Sequence, residues 1–179
     1  MENRTVVFVD DEAIVLNSLK RVFADEPYRC LFAEGGREAL ALMAENEAHV
    51  VVTDMQMPGM SGLELLSTVN ERYPSVIRVI LTGCVDVKVL LEAINRGLIL
   101  RFIVKPWKID EEFRTVVRQA LEYYDLRSEL DLLAELVKRL TSERNVDDLS
   151  CRMMRQAMLM RNKRMYHWSG TSKPVLSYR

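Results

Sequence analysis

Four short apolar runs of the sequence each end in polar residues of the kinds found in binding and catalytic sites. The first run ends in Asp10 and Asp11, the third in Asp54, the fourth in Thr82 and the fifth in Lys105. If these runs are parallel strands of one sheet, their carboxyl ends share one edge, where ligands bind in such sheets. Three carboxylates, one hydroxyl and one ammonium group are therefore expected to converge.

This group of residues is suited to phosphoryl transfer. Crowded carboxylates repel one another, so the site needs positive charge, which Lys105 and a divalent cation would supply. Carboxylate oxygens suit Mg²⁺ or Mn²⁺, and zinc is disfavoured because no His or Cys belongs to the cluster. An ionised carboxylate can attack phosphorus to form an acyl phosphate. Asp54 is the best-placed nucleophile, because it is central in the expected sheet and is followed by a loop.

Each of these residues also has an ordinary structural interpretation when it is considered alone. Asp11 could be the N-cap of a helix, and Thr82 could simply end a strand. Phe102 could be a core residue and Lys105 a solvated charge. The functional interpretation therefore depends on all of them being brought together by one fold.

The elements that would bring them together alternate along the chain as (βα)₅. Helical patterns with one apolar face separate the short runs, and Gly97 is expected just after the end of the fourth helix. Three of the runs lack alternation, as expected for strands buried on both faces. The pattern predicts an α/β fold with a doubly wound parallel sheet. The predicted strands are Thr5–Val9, Arg29–Ala33, His49–Thr53, Val76–Leu81 and Leu98–Val104.

The fifth helix is expected to continue well beyond the sheet, from Asp110 to about Thr141. Residues 125–141 form this extension, and its apolar residues recur at alternating intervals of four and three, which is heptad spacing. The stripe could be the seam of a parallel homodimer, or it could pack on the chain's own tail; both interpretations remain open. Its residues are Leu126, Leu130, Leu133, Val137 and Leu140.

The last 38 residues differ from the rest of the 179-residue chain in charge. Residues 1–141 carry 17 basic and 23 acidic residues, whereas residues 142–179 carry 8 and 3, so a basic, Met-rich helical tail is expected. The sequence shows no secretory signal pattern and no apolar run long enough to span a bilayer. With three scattered cysteines and no regular ligand spacing, a cytoplasmic location without a membrane partner is expected.

Taken in order, the motifs resemble those of response-regulator receiver domains, the phospho-accepting part of two-component signalling. The resemblance covers about Glu2 to Tyr124, which gives a receiver domain over residues 1–124. The matching residues are Asp10-Asp11, the segment Asp54-Met55-Gln56-Met57-Pro58-Gly59-Met60-Ser61-Gly62, Thr82-Gly83, Phe102 and Lys105-Pro106.

The resemblance implies a flavodoxin-like sheet of strand order 2-1-3-4-5 and a specific Mg²⁺ site. Asp54 would be the phosphoacceptor. Asp11, Asp54 and the backbone carbonyl of Gln56 would bind the metal directly, and Asp10 would act largely through water. Such a domain takes its phosphoryl group from a sensor histidine kinase or a phosphotransfer protein, so it is a phosphoacceptor rather than an enzyme with a separate substrate.

The resemblance also implies a switch. Lys105 would pair with Asp54 and then with the phosphoryl group, and Thr82 would donate a hydrogen bond to a phosphoryl oxygen. Phe102 would respond by turning inward, which changes the face formed by helix four, strand five and helix five. Gln56 and Cys84 would flank the path of the hydrolytic water and set the phosphate lifetime.

Two functions from different classes remain open for the whole chain. The segments around Ala93–Gly97 and Arg101–Trp107 resemble receivers that precede cyclic-di-GMP phosphodiesterase or hydrogenase-regulator outputs, but the sequence contains two histidines and no Walker A loop. The chain could therefore be a phosphorylation switch that acts through protein contacts or dimerisation. Alternatively, the basic tail at 142–179 could bind RNA as an antiterminator module.

Overall fold

Strands and helices alternate along the chain in the computed structural model, which describes residues 3–83, 87–104 and 111–142 together with Met154. The predicted alternation of five strands with five helices is confirmed. The elements are β1 Thr5–Val9, α1 Ala13–Val22, β2 Arg29–Ala33, α2 Gly36–Glu45, β3 Val50–Asp54, α3 Gly62–Arg72, β4 Ile77–Thr82, α4 Val87–Asn95, β5 Arg101–Val104 and α5 Glu111–Ser142.

The five strands form one parallel sheet in the order β2-β1-β3-β4-β5, which confirms the predicted flavodoxin-like topology. β3 lies at the centre, with β1 on one side and β4 on the other. Asp54 pairs in register with Leu81, and Thr82 pairs with Val104. The carboxyl ends of β1, β3 and β4 therefore meet at one edge of the sheet.

Helices cover both faces of the sheet, which explains why three strands lack alternation. Every residue of β1, β3 and β4 is buried. One core contains Ala39 of α2, Leu65 of α3 and Ala93 of α4. The other contains Leu19 of α1 and Phe113 of α5. Burial of apolar side chains on both faces fixes the strand ends that carry the polar residues.

The connection between α4 and β5 differs from the prediction. β5 begins at Arg101, three residues later than expected, because the preceding apolar residues form a turn. Gly97 has φ +68°, its N–H donates to the carbonyl of Ile94, and the N–H of Leu98 donates to the carbonyl of Ala93. This is the Schellman pattern at a helix C-terminus, and it confirms the expected position of Gly97.

α5 is a single helix of 32 residues that matches the predicted limits to within one residue. The chain divides into two compact units, Met1–Leu126 and Arg127–Arg179, so the boundary falls within this helix. In the second unit the helix exposes Leu133 (50%) and Leu140 (64%) of the predicted seam. Leu132 and Leu136 are also exposed, so the apolar surface is wider than the seam predicted from heptad spacing.

None of the helices in the described parts of the chain combines the length and the apolar composition that a membrane span requires.

A buried histidine lies at the amino edge of the sheet, opposite the acidic cluster. His49 directly precedes β3, and its Nδ1 accepts a hydrogen bond from the backbone N–H of Thr5 at 3.0 Å. The Tyr124 ring packs against the imidazole, with ring centroids 4.8 Å apart. The guanidinium of Arg4 lies over the Tyr124 ring, and its Nη2 is 2.6 Å from Oδ1 of Asp125. Burial lowers the pKa of His49, and the positive charge of Arg4 lowers it further.

We expect the free energy of unfolding to decrease on acidification as His49 becomes protonated. The unfolded chain takes up this proton near pH 6.5 and the folded chain only at lower pH, so stability falls as the pH drops from about 6.5 through the folded pKa. His49→Gln keeps an acceptor for Thr5 but does not titrate. This variant should show a weaker dependence of the free energy of unfolding on pH between about pH 7 and pH 5, measured by urea unfolding.

The second histidine of the sequence provides the matched control for this experiment. His167→Gln measures the contribution of the other histidine to the slope of stability against pH, so that the difference between the two variants isolates the titration of His49. Parallel slopes for His49→Gln and the unmodified chain would contradict the assignment of the effect to His49.

Candidate functional site

The acidic pair after β1 divides into one buried and one exposed residue. Asp10 is fully buried, and its Oδ1 accepts a hydrogen bond from the N–H of Glu12 at 2.9 Å, while its own N–H donates to Ala33. Asp11 is exposed. The N-cap of α1 is Glu12, so the interpretation of Asp11 as an N-cap is wrong. Asp10 is therefore fixed inside the site, and Asp11 lies at its solvent side.

Asp54 is the last residue of β3, where the prediction placed it directly after the strand. Its side chain is only slightly exposed, and Oδ2 accepts a hydrogen bond from the N–H of Gln56 at 2.6 Å. The side chain of Gln56 is exposed at the same loop. The hydrogen bond fixes the orientation of a carboxylate in the most central strand of the sheet.

The close approach of α3 to the loop after Asp54 requires a glycine. The N–H of Gly62 donates to the carbonyl of Met55 at 3.0 Å. A Cβ atom at Gly62 would overlap the carbonyl oxygen of Asp54 and would lie 3.1 Å from the Cα of Met55. These are backbone atoms, which cannot move away as a flexible side chain could. Gly62 thus sets how closely the helix approaches the acidic residue.

The other predicted site residues lie on β4 and β5 or beyond the described parts of the chain. Thr82 is the last residue of β4 and is almost fully buried. It directly follows Leu81, which pairs with Asp54 across the sheet. Phe102 lies on β5 opposite Ile80 and is 40% exposed. Lys105 and Cys84 lie outside the described residues. The structure therefore brings Asp10, Asp54 and Thr82 to one edge, at the carboxyl ends of three adjacent strands.

The arrangement has the sequence signature of a known family. Residues 6–126 match the response regulator receiver domain, a segment that includes every strand end described above. The chain belongs to the response regulator receiver family.

Relatives of known description agree with this membership. The receiver is 36% identical over 129 residues to the hydrogenase transcriptional regulatory protein HoxA of Cupriavidus necator, covering 72% of this chain and 26% of HoxA. The signal receiver domain of an HD domain-containing protein from Pseudomonas fluorescens Pf-5 is 35% identical, with a TM-score of 0.65, over 69% of this chain and 98% of that one. The chain spans about a quarter of the length of the curated relatives it matches.

A third similarity concerns a receiver studied with a metal. The response regulator protein TrrA from Thermotoga maritima, solved in complex with Mg²⁺ and BeF, is 27% identical with a TM-score of 0.58. The match covers 66% of this chain and 99% of that one.

The residues of the receiver fit a hard divalent cation. Two buried carboxylates lie at the carboxyl ends of adjacent strands, Asp10 directly after β1 and Asp54 as the last residue of β3. Their oxygens are the donors that Mg²⁺ and Mn²⁺ prefer. In the described ranges, no three His, Cys, Asp or Glu side chains are grouped so that they could hold an ion by themselves. A carbonyl oxygen and water would therefore complete the coordination, as the resemblance implies for Gln56.

Sequence reasoning missed the capping box that begins α3 of the receiver. The Oγ of Ser61 accepts from the N–H of Glu64 at 3.3 Å, and the Glu64 carboxylate accepts from the N–H of Ser61 at 2.8 Å. The backbone bond and the Ser61 hydroxyl lower the pKa of Glu64. The signal was present as Ser-x-x-Glu, which is typical of a helix start. This box fixes the end of the loop that follows Asp54 and carries Gln56.

Proposed function

We propose that Asp54 is the phosphoacceptor of a two-component signalling switch. The observation that carries this proposal is the position of its buried carboxylate at the carboxyl end of the central strand. On one side lies β1, which is followed directly by Asp10, and on the other lies β4, which ends in Thr82. A carboxylate held in that setting is oriented for attack on phosphorus.

The reaction proposed is transfer from a phosphohistidine on a sensor histidine kinase or phosphotransfer protein. One carboxylate oxygen of Asp54 attacks phosphorus and forms the P–O bond of an acyl phosphate. The P–N bond breaks, and its electron pair returns to the imidazole of the donor. The hydroxyl of Thr82 donates to a phosphoryl oxygen, and Lys105 pairs with the phosphoryl charge, as the family resemblance implies.

The proposal includes a divalent cation held by Asp10, Asp11, Asp54 and the Gln56 carbonyl. Bound Mg²⁺ or Mn²⁺ would neutralise charge on the phosphoryl oxygens. The hard oxygen donors of this edge and the Mg²⁺ complex of the similar protein TrrA support the assignment. Gln56, exposed beside Asp54, and Cys84 are proposed to control how quickly water removes the phosphoryl group.

The output proposed is a change in the surface formed by α4, β5 and α5. Thr82 would draw the end of β4 towards the phosphoryl group, and Phe102 would leave its half-exposed position. Leu91 (52% exposed) and Ile94 (37% exposed) give this surface the apolar area that a partner protein can bury.

The proposal is tested by phosphorylation with acetyl phosphate. We expect the chain to gain one phosphoryl group in the presence of Mg²⁺ and none when the metal is removed with a chelator. The product should be labile to hydroxylamine, as acyl phosphates are, and should be recorded by intact-protein mass spectrometry. A phosphorylated product that forms equally without metal, or that resists hydroxylamine, would contradict the proposed chemistry.

We further propose a homodimer through the stripe on α5. Leu133 and Leu140 are exposed, and contact with a second copy would remove this apolar area from water. Leu126, Leu130 and Val137 would complete the seam. Sedimentation of the unphosphorylated and phosphorylated chain tests the dimer, and a monomeric mass in both states at high protein concentration would remove it.

The domain limits proposed are a receiver at 1–124, a helical extension at 125–141 and a basic tail at 142–179, in a cytoplasmic protein. The RNA-binding alternative depends on the tail, of which the structure describes Ser142 in α5 and Met154. Neither the described residues nor the relatives favour it.

A further inference from the structure

A buried arginine bonds the end of α4 to the amino end of β4. Arg78 is 8% exposed. Its Nε donates to the carbonyl of Leu98 at 2.7 Å and its Nη2 to the carbonyl of Gly97 at 3.0 Å. Its backbone carbonyl accepts from the N–H of Leu100 at 2.8 Å. A single residue of β4 thus holds three of the five residues between α4 and β5, namely Gly97, Leu98 and Leu100.

The chemistry of this contact makes it a strong anchor. The carbonyls of Gly97 and Leu98 directly follow α4, whose C-terminal end carries partial negative charge. A guanidinium supplies both donors and positive charge to it. Nη1 of Arg78 also donates to the carbonyl of Val76 at 2.8 Å, so the guanidinium is fixed to its own strand as well. Burial raises the cost of breaking any of these bonds.

The anchor lies on the same strand as the switch hydroxyl. Thr82 ends β4, four residues after Arg78, so the two side chains lie on the same face of the sheet because strand side chains alternate. Ala93 of α4 packs in the core on that face together with Ile80 of β4. α4 therefore packs on β4. This strand carries Thr82 at its carboxyl end and Arg78, which anchors the C-terminal end of α4, near its amino end.

We propose that Arg78 is a positioning residue of the switch, which fixes the C-terminal end of α4 so that displacement at Thr82 moves the helix about that end. This inference rests on the proposed function, because it concerns how phosphorylation at Asp54 reaches the exposed surface of α4. With its C-terminal end fixed, α4 cannot follow Thr82 as a free body. Its displacement therefore increases with distance from Gly97, so that it is larger at exposed Leu91 than at Ile94. Without the anchor, the turn at 97–100 absorbs the displacement.

The test is amide hydrogen exchange of the full chain with and without beryllofluoride and Mg²⁺, which together mimic the phosphoryl group. In the unmodified chain, the amides of Leu98 and Leu100 should be protected from exchange. Their exchange rates should change by less than about twofold on addition of the mimic. The exchange rates of the amides of residues 87–95 should change by more than twofold. Equal changes in the turn and the helix would show that the turn is not fixed, and would overturn the proposal without any variant.

Substitution of the anchor should separate phosphorylation from its effect on α4. In Arg78→Met, exchange of Leu98 and Leu100 should rise by about tenfold or more, and the change that beryllofluoride produces in residues 87–95 should fall below half of its usual size. Arg78→Lys keeps the charge and one donor group, so it should recover part of that change. It also serves as the test if Arg78→Met fails to fold.

Two further measurements distinguish this role from a general loss of stability. Leu19→Ala weakens the core on the other face of the sheet and should lower stability while leaving the response of α4 to beryllofluoride intact. A full response in both Arg78 variants would overturn the proposal. Phosphorylation of Asp54 by acetyl phosphate is measured separately in each variant, so failure of the proposed function would appear as absent labelling in the unmodified chain.

Discussion

Asp54→Asn is expected to abolish phosphorylation of the chain. The amide has the shape of the carboxylate, and its oxygen can still accept the hydrogen bond from the N–H of Gln56, so the loop should keep its conformation. It has no anionic oxygen with which to attack phosphorus. With acetyl phosphate and Mg²⁺, we expect the labelling rate to fall by more than about 100-fold, a barrier increase of about 2.7 kcal/mol.

The matched control for this experiment is an exposed acid far from the strand ends. Asp25, in the loop after α1, is exposed, and Asp25→Asn should be labelled at the rate of the unmodified chain. The far-ultraviolet circular dichroism of both variants should match that of the unmodified chain. Retained labelling of Asp54→Asn would move the phosphoacceptor to another residue.

Gly62→Ala is expected to impair both stability and phosphorylation. The added Cβ would overlap the carbonyl oxygen of Asp54, and neither the start of α3 nor the end of β3 can move away without disturbing packed elements. Overpacking of this kind costs about 1–3 kcal/mol of unfolding free energy. Displacement of the Asp54 backbone by a fraction of an ångström should slow labelling by about tenfold or more.

A second glycine controls for the intrinsic cost of replacing glycine by alanine. Gly35 precedes α2 in extended backbone, and a Cβ there would meet nothing within 4 Å. Gly35→Ala should label at the normal rate and lose little stability in urea unfolding. Equal behaviour of the two variants would show that the approach of α3 to Asp54 does not position the carboxylate.

The fold could be predicted because its signals are local and repeated. The uninterrupted apolar character of β1, β3 and β4 follows from burial on both faces, and the order of elements then restricts the sheet to a few topologies. The same reasoning placed Asp54 and Thr82 within one residue of where their strands end. The position of Asp10 at the neighbouring strand end follows from the parallel register.

What the sequence did not predict depends on contacts between distant residues. The run Leu98–Leu100 is apolar enough for a strand, but it forms a turn. The Nε of Arg78, twenty residues earlier, donates to the carbonyl of Leu98, and the carbonyl of Arg78 accepts from the N–H of Leu100. The division of the acidic pair into buried Asp10 and exposed Asp11 is set by where α1 begins. The extra exposed leucines at 132 and 136 fall outside the heptad positions that defined the seam.

The placement of Asp54 and His49 at opposite ends of β3 has a practical consequence for protein engineering. At about 3.3 Å per residue, five steps along a strand separate the two backbones by about 16 Å. Substitutions that far apart usually combine additively. Changes beside Asp54, aimed at the proposed phosphate lifetime, and changes beside His49, aimed at tolerance to acid, can therefore be optimised in separate libraries of this receiver before the two sets are joined.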